Sequence, residues 1–416
     1  MPDMVSLANR LEISAMVNLD DIQGAARVLD GVAIKTPLIF STSFSRRAGA
    51  QVYLKLENLQ KTGSFKFRGA YHKLSKIRPQ VSPLGVVAAS AGNHAQGVAH
   101  AAQLLGVPAT IVMPEWASIS KQLATRGYGG RVILAGTSLT ESLAQARTLE
   151  AEGRTFMHPY DDADVIAGQG TIGLEIVAEL PMVDAILTPI GGGGLIAGVA
   201  TAVKTLRPET KVIGVQAAVC ASALAARRLG KPIPVTAKKS IADGISVKEV
   251  GRLPFTVMER LVDDIVTVEE EQIAAAVLDL LERKKILAEG SGAVPLAALV
   301  SGVLPSLRDC VVVLVVSGGN VDSHLLGRIL NQGLFRSGRI LKFSVLLEDV
   351  PGALAGLLKV VATSRGNILH ILHDRMGRHL PLGLSRVELE VETRDVGHME
   401  EILKALSSSG YEVEAL

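Results

Sequence analysis

Short runs of β-branched apolar residues alternate with longer segments rich in Ala and Leu over most of the chain. The run VVAAS (86–90) is followed by HAQGVAHAAQLLG, ATIVMP (109–114) by ISKQLATRGYG, and RVILAG (131–136) by SLTESLAQARTLEAEG. Strands that are buried on both faces have continuous apolar runs, and helices between them allow a parallel sheet. The pattern therefore predicts an α/β fold with an open twisted parallel sheet.

The alternation of strands and helices ends near residues 331–340, where the segment NQGLFRSGRI is predicted to be a connector. Beyond it apolar residues alternate with polar ones, as Val387, Leu389 and Val391 do in RVELEVET, which indicates an antiparallel sheet with one exposed face. The tail predicts strand, helix, strand, strand, helix, strand, the order of a ferredoxin-like α+β module. We therefore expect a main domain over 1–330, a linker over 331–340 and a second domain over 341–416.

Composition excludes several classes of partner. The 416 residues include 43 Lys and Arg against 41 Asp and Glu, a net charge of +2, so we expect no nucleic acid or anionic membrane as a partner. Apolar runs such as 311–316 are far shorter than the ~18 residues of a membrane helix. Cys220 and Cys310 form no CxxC pair, and the N-terminus has no export-signal pattern. A cytoplasmic protein that acts on small neutral or zwitterionic molecules fits best.

Four consecutive glycines, residues 191–194, lie between an apolar strand and the helix LIAGVATAVKTL. Glycines allow backbone N–H groups to approach an anion at a helix N-terminus, so a phosphate is the natural ligand. The alternative is a tight turn that binds nothing. Gly192, Gly194 and Ala197 match GxGxxA, but a dinucleotide fold needs an acidic residue after the next strand, where Gln216 stands. NAD is therefore disfavoured.

Two further loops also follow predicted strands, SAGNHAQG (90–97) and SGGN (317–320). The amides of the first could bind a carboxylate and Asn93 a phenolic oxygen, although Ser90 and Asn93 could simply cap a helix. The spacing of His94 and His100 does not suit a metal pair. Because ligands collect at the carboxyl ends of strands in an open α/β sheet, the three loops can converge on one small molecule.

Lys66 stands between two phenylalanines in KTGSFKFRGA (61–70). An apolar setting disfavours the charged amine and lowers its pKa, which makes it a nucleophile toward an aldehyde. Most lysines are solvated surface groups, so Lys66 alone does not decide the chemistry. Together with a phosphate loop, it favours an aldehyde cofactor.

In their order along residues 20–330, the motifs resemble those of the fold type II pyridoxal phosphate enzymes, in particular the threonine dehydratases (threonine ammonia-lyases). The resemblance includes HPYDDADVIAGQGTIGLEI (158–176), ADGISV (242–247), AEGSGA (288–293) and VVSGGNVD, besides the motifs above. It implies a tryptophan synthase beta-like fold of two subdomains, the smaller spanning roughly 65–160 within the larger. It also implies pyridoxal 5'-phosphate as the cofactor.

The resemblance assigns roles to individual residues. Lys66 would be the Schiff-base lysine and would remove the α proton, while Asn93 would contact the phenolic oxygen and Ser317 the pyridine nitrogen. The phosphate would be held by Gly191, Gly192, Gly193, Gly194 and Leu195. The substrate carboxylate would dock at Ser90, Ala91, Gly92, Asn93 and His94. Glu289 would lie either near the cofactor ring or at a helix start as its cap.

The implied reaction is the dehydration and deamination of L-threonine to 2-oxobutanoate and ammonia, with serine to pyruvate as a secondary activity. The implied pathway is isoleucine biosynthesis. A serine- or 3-hydroxyaspartate-preferring dehydratase is one alternative, and a catalytically silent amino-acid sensor is another. Serine racemases that resemble this chain have a second serine where Ala91 stands, so racemisation is not expected. Those relatives bind a divalent cation with acidic side chains where Gln216 and Ser222 stand, so we expect no metal there.

The segment LLEDVPGALAGLLKVVATSRGNILHI in the tail resembles an ACT domain, a module that binds amino acids at subunit interfaces. The resemblance implies feedback by isoleucine or valine and a homotetramer or homodimer. A purely structural dimerisation domain is the alternative. His370 and His373 could suggest a metal, but a strand that faces solvent and a partner subunit accounts for them better.

Overall fold

The computed structural model describes residues 17–377 and 380–416. The chain divides into two compact units, and the division falls between Leu325 and Leu326. The first part of the first unit contains α1 (Leu19–Leu29), β1 (Leu38–Phe40), α2 (Thr42–Ala48), β2 (Gln51–Leu56), α3 (Lys66–Ile77), β3 (Val86–Ala89), α4 (Asn93–Leu105), β4 (Ala109–Met113), α5 (Ile119–Gly127), β5 (Arg131–Leu134), α6 (Leu139–Ala151) and β6 (Thr155–Phe156).

The remaining elements of this unit form the second half of the main domain. They are α7 (Ala163–Glu179), β7 (Ala185–Pro189), α8 (Gly194–Leu206), β8 (Lys211–Ala217), α9 (Ser222–Leu229), α10 (Arg252–Leu261), β9 (Asp264–Val268), α11 (Glu270–Lys284), α12 (Gly290–Val300), β10 (Val311–Val316) and α13 (Ser323–Arg336), which runs across the boundary between the units.

Two sheets organise the first unit. The larger has the strand order β1-β2-β10-β7-β8-β9, parallel except where β1 pairs with β2. The smaller has the order β5-β4-β3-β6 and is parallel throughout. β3, β4 and β7 are buried along their whole length, as their continuous apolar runs predict. The structure confirms the expected α/β fold with a smaller subdomain.

Each sheet has its own aliphatic core. Ile186, Val199 and Val313 belong to the core of the large sheet, and Ile111 and Val98 to the core of the small one. The N-terminal end of α3 lies between these cores, because α3 packs on α4 from the small subdomain and on α7 from the large one. The first residue of α3 is Lys66, so the fold sets this lysine where the subdomains meet.

The second unit contains the tail. Its elements after α13 are β11 (Ile340–Glu348), α14 (Ala353–Thr363), β12 (Asn367–Asp374), β13 (Leu384–Glu392), α15 (Val396–Ser408) and β14 (Val413–Ala415). The strands form an antiparallel sheet with the order β12-β13-β11-β14, and alternate residues of β13 are buried. This is the ferredoxin-like arrangement that the alternating pattern predicts.

One expectation differs from what the structure contains. The predicted connector 331–340 is helical as far as Arg336, because α13 continues through it. Leu330 and Phe335 are apolar residues of this helix, and Ile329 on the same helix is buried. The exact domain division therefore stays a prediction. Within the described ranges, no helix has both the length and the apolarity to span a bilayer.

Candidate active site

Lys66 begins α3 and its amine is enclosed by the protein. Nζ donates a hydrogen bond to the carbonyl oxygen of Pro159 at 2.7 Å and lies 5.2 Å from the centroid of the Phe65 ring. Burial lowers the pKa of Lys66 to about 8, and the nearby Glu289 carboxylate opposes this shift. Phe67, the other flanking phenylalanine, is instead fully buried in the core of the small subdomain. The amine therefore loses its proton at a lower pH than an exposed lysine does.

A buried charge cluster anchors the first turn of the same helix. Arg68 binds the Glu57 carboxylate through Nε at 2.9 Å and Nη2 at 2.8 Å, and binds Glu175 at 2.6 and 3.0 Å. Lys55 completes the cluster through Glu175 at 2.6 Å. Bidentate pairs of this kind fix geometry as well as charge. The backbone that carries Lys66 is thus tied to β2 and α7.

The four glycines follow β7 and lead into α8, and both the conformation and the packing require glycine. Gly193 has a φ of +94°, in the left-handed region that other residues rarely adopt. A Cβ atom on Gly192 would lie 2.2 Å from the ring of Tyr160. The backbone therefore passes directly against Tyr160 and presents the unpaired first amides of α8, a suitable cradle for an anion.

The segment 158–161 connects the lysine to this cradle. Pro159 accepts the hydrogen bond from Lys66, and Tyr160 packs on Gly192. The Asp161 carboxylate accepts hydrogen bonds from the amides of Arg252 and Leu253 at the start of α10, at 3.1 and 2.9 Å. The sequence motif HPYDD was noted without a role for any of these residues. No local signal identified Pro159, because its contribution is a backbone carbonyl.

The loop before α4 contains the predicted carboxylate site. Ser90 Oγ accepts a hydrogen bond from the Gly92 amide at 3.2 Å, and a Cβ on Gly92 would meet nothing within 4 Å. There is open space on this side of the loop, next to the half-buried Ala91. His94 faces the other way: its ring is buried, Nε2 lies 2.9 Å from the Met157 carbonyl oxygen, and burial lowers its pKa to about 3. Only the backbone of His94 is available to a ligand in the cleft.

Side chains from three loops meet at Asn93. Its Nδ2 donates to Glu289 Oε1 at 2.7 Å, and its Oδ1 accepts from Asn320 Nδ2 at 2.8 Å. Burial raises the pKa of Glu289 to about 7, with Asp243 adding to the shift and Asn93 opposing it. Glu289 stands before α12 but its side chain caps nothing there. The side chain therefore makes no helix cap, and its location near the cofactor ring stays a prediction.

Ser317 follows β10 and is buried beside the lysine loop. Its carbonyl oxygen accepts from the Phe65 amide at 3.1 Å, and the Gly319 amide donates to the carbonyl oxygen of Gly63 at 2.9 Å. Two backbone hydrogen bonds thus join the SGGN loop to the segment that leads into Lys66. Asn320, the last residue of SGGN, was not singled out from the sequence, although a polar residue that follows a buried strand is a recognisable signal.

Gln216 and Ser222, where we expect no metal, both make hydrogen bonds to the backbone of the protein. Gln216 is buried, its Oε1 accepts from the amides of Ala223 and Leu224, and its Nε2 donates to the Ile190 carbonyl oxygen at 3.3 Å. Ser222 Oγ donates to the carbonyl oxygen of Val247 at 2.7 Å. In residues 17–377 and 380–416, no group of three or more His, Cys, Asp or Glu has a metal-binding arrangement. The absence of a metal stays a prediction.

The residues fit a phosphorylated aldehyde. The glycine backbone forms an anion cradle, the lysine amine is partly deprotonated, and the hydroxyls of Ser64 and Ser291 are buried without a hydrogen-bond partner among the described residues. Ser64 and Ser291 each stand two residues from Lys66 or Glu289. Both hydroxyls can therefore hydrogen-bond a polar ligand in the cleft. Fold and site together define an α/β enzyme with a cleft suited to a phosphorylated aldehyde.

Comparisons with known proteins agree. Residues 29–318 match the pyridoxal-phosphate dependent enzyme family. An L-threonine ammonia-lyase of Thermotoga maritima is 48% identical over 399 residues, which are 96% of this chain and 99% of that protein. A processed threonine deaminase isoform 2 of Solanum lycopersicum is 39% identical with a TM-score of 0.72, covering 75% of this chain and 86% of that one. A maize serine racemase is 33% identical, also with a TM-score of 0.72, covering 77% and 98%. The chain belongs to the pyridoxal-phosphate dependent enzyme family.

Proposed function

We propose that this protein dehydrates and deaminates L-threonine to 2-oxobutanoate and ammonia, with L-serine to pyruvate as a secondary activity. The water lost in the dehydration is taken up again when ammonia is released, so the net products are the keto acid and ammonia. The observation that carries the proposal is the buried Lys66 amine, with its pKa of about 8, beside an open loop suited to an amino-acid carboxylate. The similarity to the Thermotoga maritima protein, named L-threonine ammonia-lyase, supports the choice of reaction over nearly the whole chain.

Residues of the chain have separate tasks toward the cofactor. Gly191, Gly192, Gly193, Gly194 and Leu195 would hold the phosphate through backbone amides at the start of α8. Asn93 would donate to the phenolic oxygen, Ser317 would meet the pyridine nitrogen, and Glu289 would border the ring. Pyridoxal 5'-phosphate, when bound, supplies an aldehyde that captures amino groups and a ring that accepts electrons.

Lys66 would act as the proton carrier. With a pKa of about 8, roughly one free amine in ten is neutral at pH 7, against roughly one in three thousand at the ordinary value of 10.5. The neutral amine can accept the α proton of the substrate. The carbonyl oxygen of Pro159, at 2.7 Å, holds the amine in place and accepts a hydrogen bond in either protonation state.

The loop 90–94 would bind the substrate carboxylate. Ser90 can donate its hydroxyl proton to the carboxylate while Oγ still accepts from the Gly92 amide. The amides of the first turn of α4 would bind the same group, since four N–H groups at a helix start have no partner within the helix. Ala91 has no proton to exchange, so we do not expect racemisation.

The C-terminal unit, we propose, is an ACT-like regulatory domain that binds isoleucine or valine. A cavity of about 330 Å³ lies at the start of α14 and is lined by Asp349, Gly352 and Arg375, among others. Arg375 Nε lies 2.8 Å from Asp349 Oδ1. This pair offers a carboxylate to an ammonium group and a guanidinium to a carboxylate, and the cavity volume suits a small amino acid. A purely structural dimerisation domain is the alternative.

A second copy of the chain could pair with the C-terminal unit at the edge of its sheet. β12 lies at the edge of its sheet, and Leu369, Ile371 and Leu372 are 50%, 40% and 49% exposed. An open strand edge with exposed apolar side chains favours pairing with another chain. These features support a homodimer or homotetramer. We propose a cytoplasmic location, in keeping with two cysteines that are both free thiols.

Keto-acid release from threonine, serine and 3-hydroxyaspartate tests the proposal, each measured with and without isoleucine or valine. Threonine should have the highest kcat/KM. If only 3-hydroxyaspartate is turned over, the protein is a 3-hydroxyaspartate dehydratase and the threonine assignment is wrong. If cofactor-loaded protein turns over none of the three substrates, the amino-acid sensor is favoured. Lys66→Ala is the matched control and should abolish both turnover and the visible absorption of the bound cofactor.

A further inference from the structure

A chain of side-chain hydrogen bonds crosses the base of the cleft. Asn320 Nδ2 donates to the carbonyl oxygen of Thr62 at 2.7 Å and to Asn93 Oδ1 at 2.8 Å. Asn93 Nδ2 then donates to Glu289 Oε1 at 2.7 Å. These four residues come from loops that are up to 258 positions apart in the sequence. The chain therefore joins the lysine loop, the SGGN loop, the SAGN loop and the start of α12.

The backbone carbonyl of Thr62 sets which groups donate and which accept along this series of hydrogen bonds. A backbone carbonyl can only accept, so Asn320 must turn its NH₂ group toward it. The second N–H of Asn320 then meets Asn93, which must present its carbonyl oxygen. Asn93 is left with its NH₂ group on the far side, where the Glu289 carboxylate takes one hydrogen. The other N–H of Asn93 is the group available to the cleft.

Packing holds Asn320 in this orientation. A Cβ atom on Gly63 would lie 2.4 Å from Asn320 Oδ1, and Gly63 has a φ of +72°. The lysine loop therefore lies directly against the amide of Asn320. On the other side, a Cβ on Gly318 would lie 2.7 Å from Glu289 Oε1 and 3.1 Å from Asn93 Nδ2. The SGGN backbone therefore lies close against the Asn93–Glu289 pair and restricts the movement of both side chains.

We infer that Asn320 is a positioning residue that makes Asn93 present an N–H group, rather than a carbonyl oxygen, to the phenolic oxygen of the cofactor. The inference rests on the proposed contact between Asn93 and that oxygen. A carbonyl oxygen in the same place would repel a phenolate, so the orientation of one amide decides between attraction and repulsion. Asn320 never needs to contact the cofactor to have this effect.

Two substitutions test the inference in cofactor-free protein titrated with pyridoxal 5'-phosphate. Asn320→Ala removes both donors, and we expect the dissociation constant of the cofactor to rise on the order of tenfold. Asn320→Asp has nearly the same shape but can only accept, which favours the reversed orientation of Asn93. We expect Asn320→Asp to weaken binding further and to lower the visible absorption of the bound cofactor at constant total occupancy.

Asn58→Ala is the matched control. Asn58 Nδ2 donates to the Leu287 carbonyl oxygen at 3.1 Å, and its Cβ lies next to Gly319 of the same loop. It has no hydrogen bond to Asn93, so its loss should change the dissociation constant by less than about twofold. Circular dichroism of each cofactor-free variant separates misfolding from lost positioning. An equal effect of Asn58→Ala and Asn320→Ala would overturn the inference.

A double-mutant cycle decides whether Asn320 acts through Asn93. Asn320→Ala should add almost nothing in an Asn93→Ala background, because the group that it positions is gone. Additive effects would overturn the inference while leaving the proposed contact of Asn93 intact. If Asn93→Ala alone changes neither affinity nor absorption, the proposed contact itself is wrong and the positioning role fails with it.

Discussion

Replacing Arg68 with methionine should be among the most damaging substitutions near the active site. Arg68 is 1% exposed and lies between Glu57, which is fully buried, and Glu175. With Lys55, the cluster contains two positive and two negative charges that cancel. Methionine fills a similar length of side chain but leaves a net negative charge in the interior.

The cost falls mainly on Glu57. Glu175 would retain Lys55 at 2.6 Å, whereas Glu57 would keep the hydroxyl of Thr36, at 2.5 Å, but lose the guanidinium that binds both of its oxygens. Removing one partner of a buried ion pair typically costs about 3–5 kcal/mol. We therefore expect Arg68→Met to lower the free energy of unfolding at neutral pH by about 3–5 kcal/mol.

Urea denaturation of the cofactor-free variants, followed by circular dichroism, measures this loss without a contribution from cofactor affinity. Lys76→Met on the same helix is the matched control. Its ion pair with Asp164 at 2.6 Å involves a lysine side chain that is 62% exposed, so it should cost less than about 1 kcal/mol. Adding Glu57→Gln to Arg68→Met should recover more than half of the loss. Equal costs for Arg68→Met and Lys76→Met would refute the reasoning.

Three further predictions concern the site and the C-terminal unit. The rate at which cofactor-free protein captures pyridoxal 5'-phosphate should rise with pH with a midpoint near pH 8, because the neutral Lys66 amine attacks; a midpoint near 10.5 would contradict the lowered pKa. Gly192→Ala should weaken cofactor binding more than tenfold in equilibrium titration, since its Cβ would overlap the Tyr160 ring, and Tyr160→Ala in the same chain should restore part of it. Asp349→Asn should raise the effector concentration for half-maximal response about tenfold in initial-rate assays, whereas an unchanged response would remove the Asp349–Arg375 cavity as the effector site.

Local patterns predicted the architecture well. Continuous apolar runs located β3, β4, β7 and β10, because burial of both faces acts on every residue of a strand. The alternation in RVELEVET likewise predicted β13, with one buried and one half-buried face. The predicted connector at 331–340 is helical as far as Arg336, since α13 is stabilised by contacts such as the burial of Ile329, which the segment's own sequence does not reveal.

The sequence by itself determined which loops follow strands and that four glycines precede a helix. These are properties of neighbouring residues, and local sterics and hydrogen bonding suffice to specify them. Tertiary structure alone decided that Phe67 faces the core, that Pro159 accepts a hydrogen bond from the lysine amine, and that Asn320 donates one to Asn93. These contacts join residues far apart in the chain, and the lowered pKa of Lys66 depends on burial, which exists only once the two subdomains have packed together.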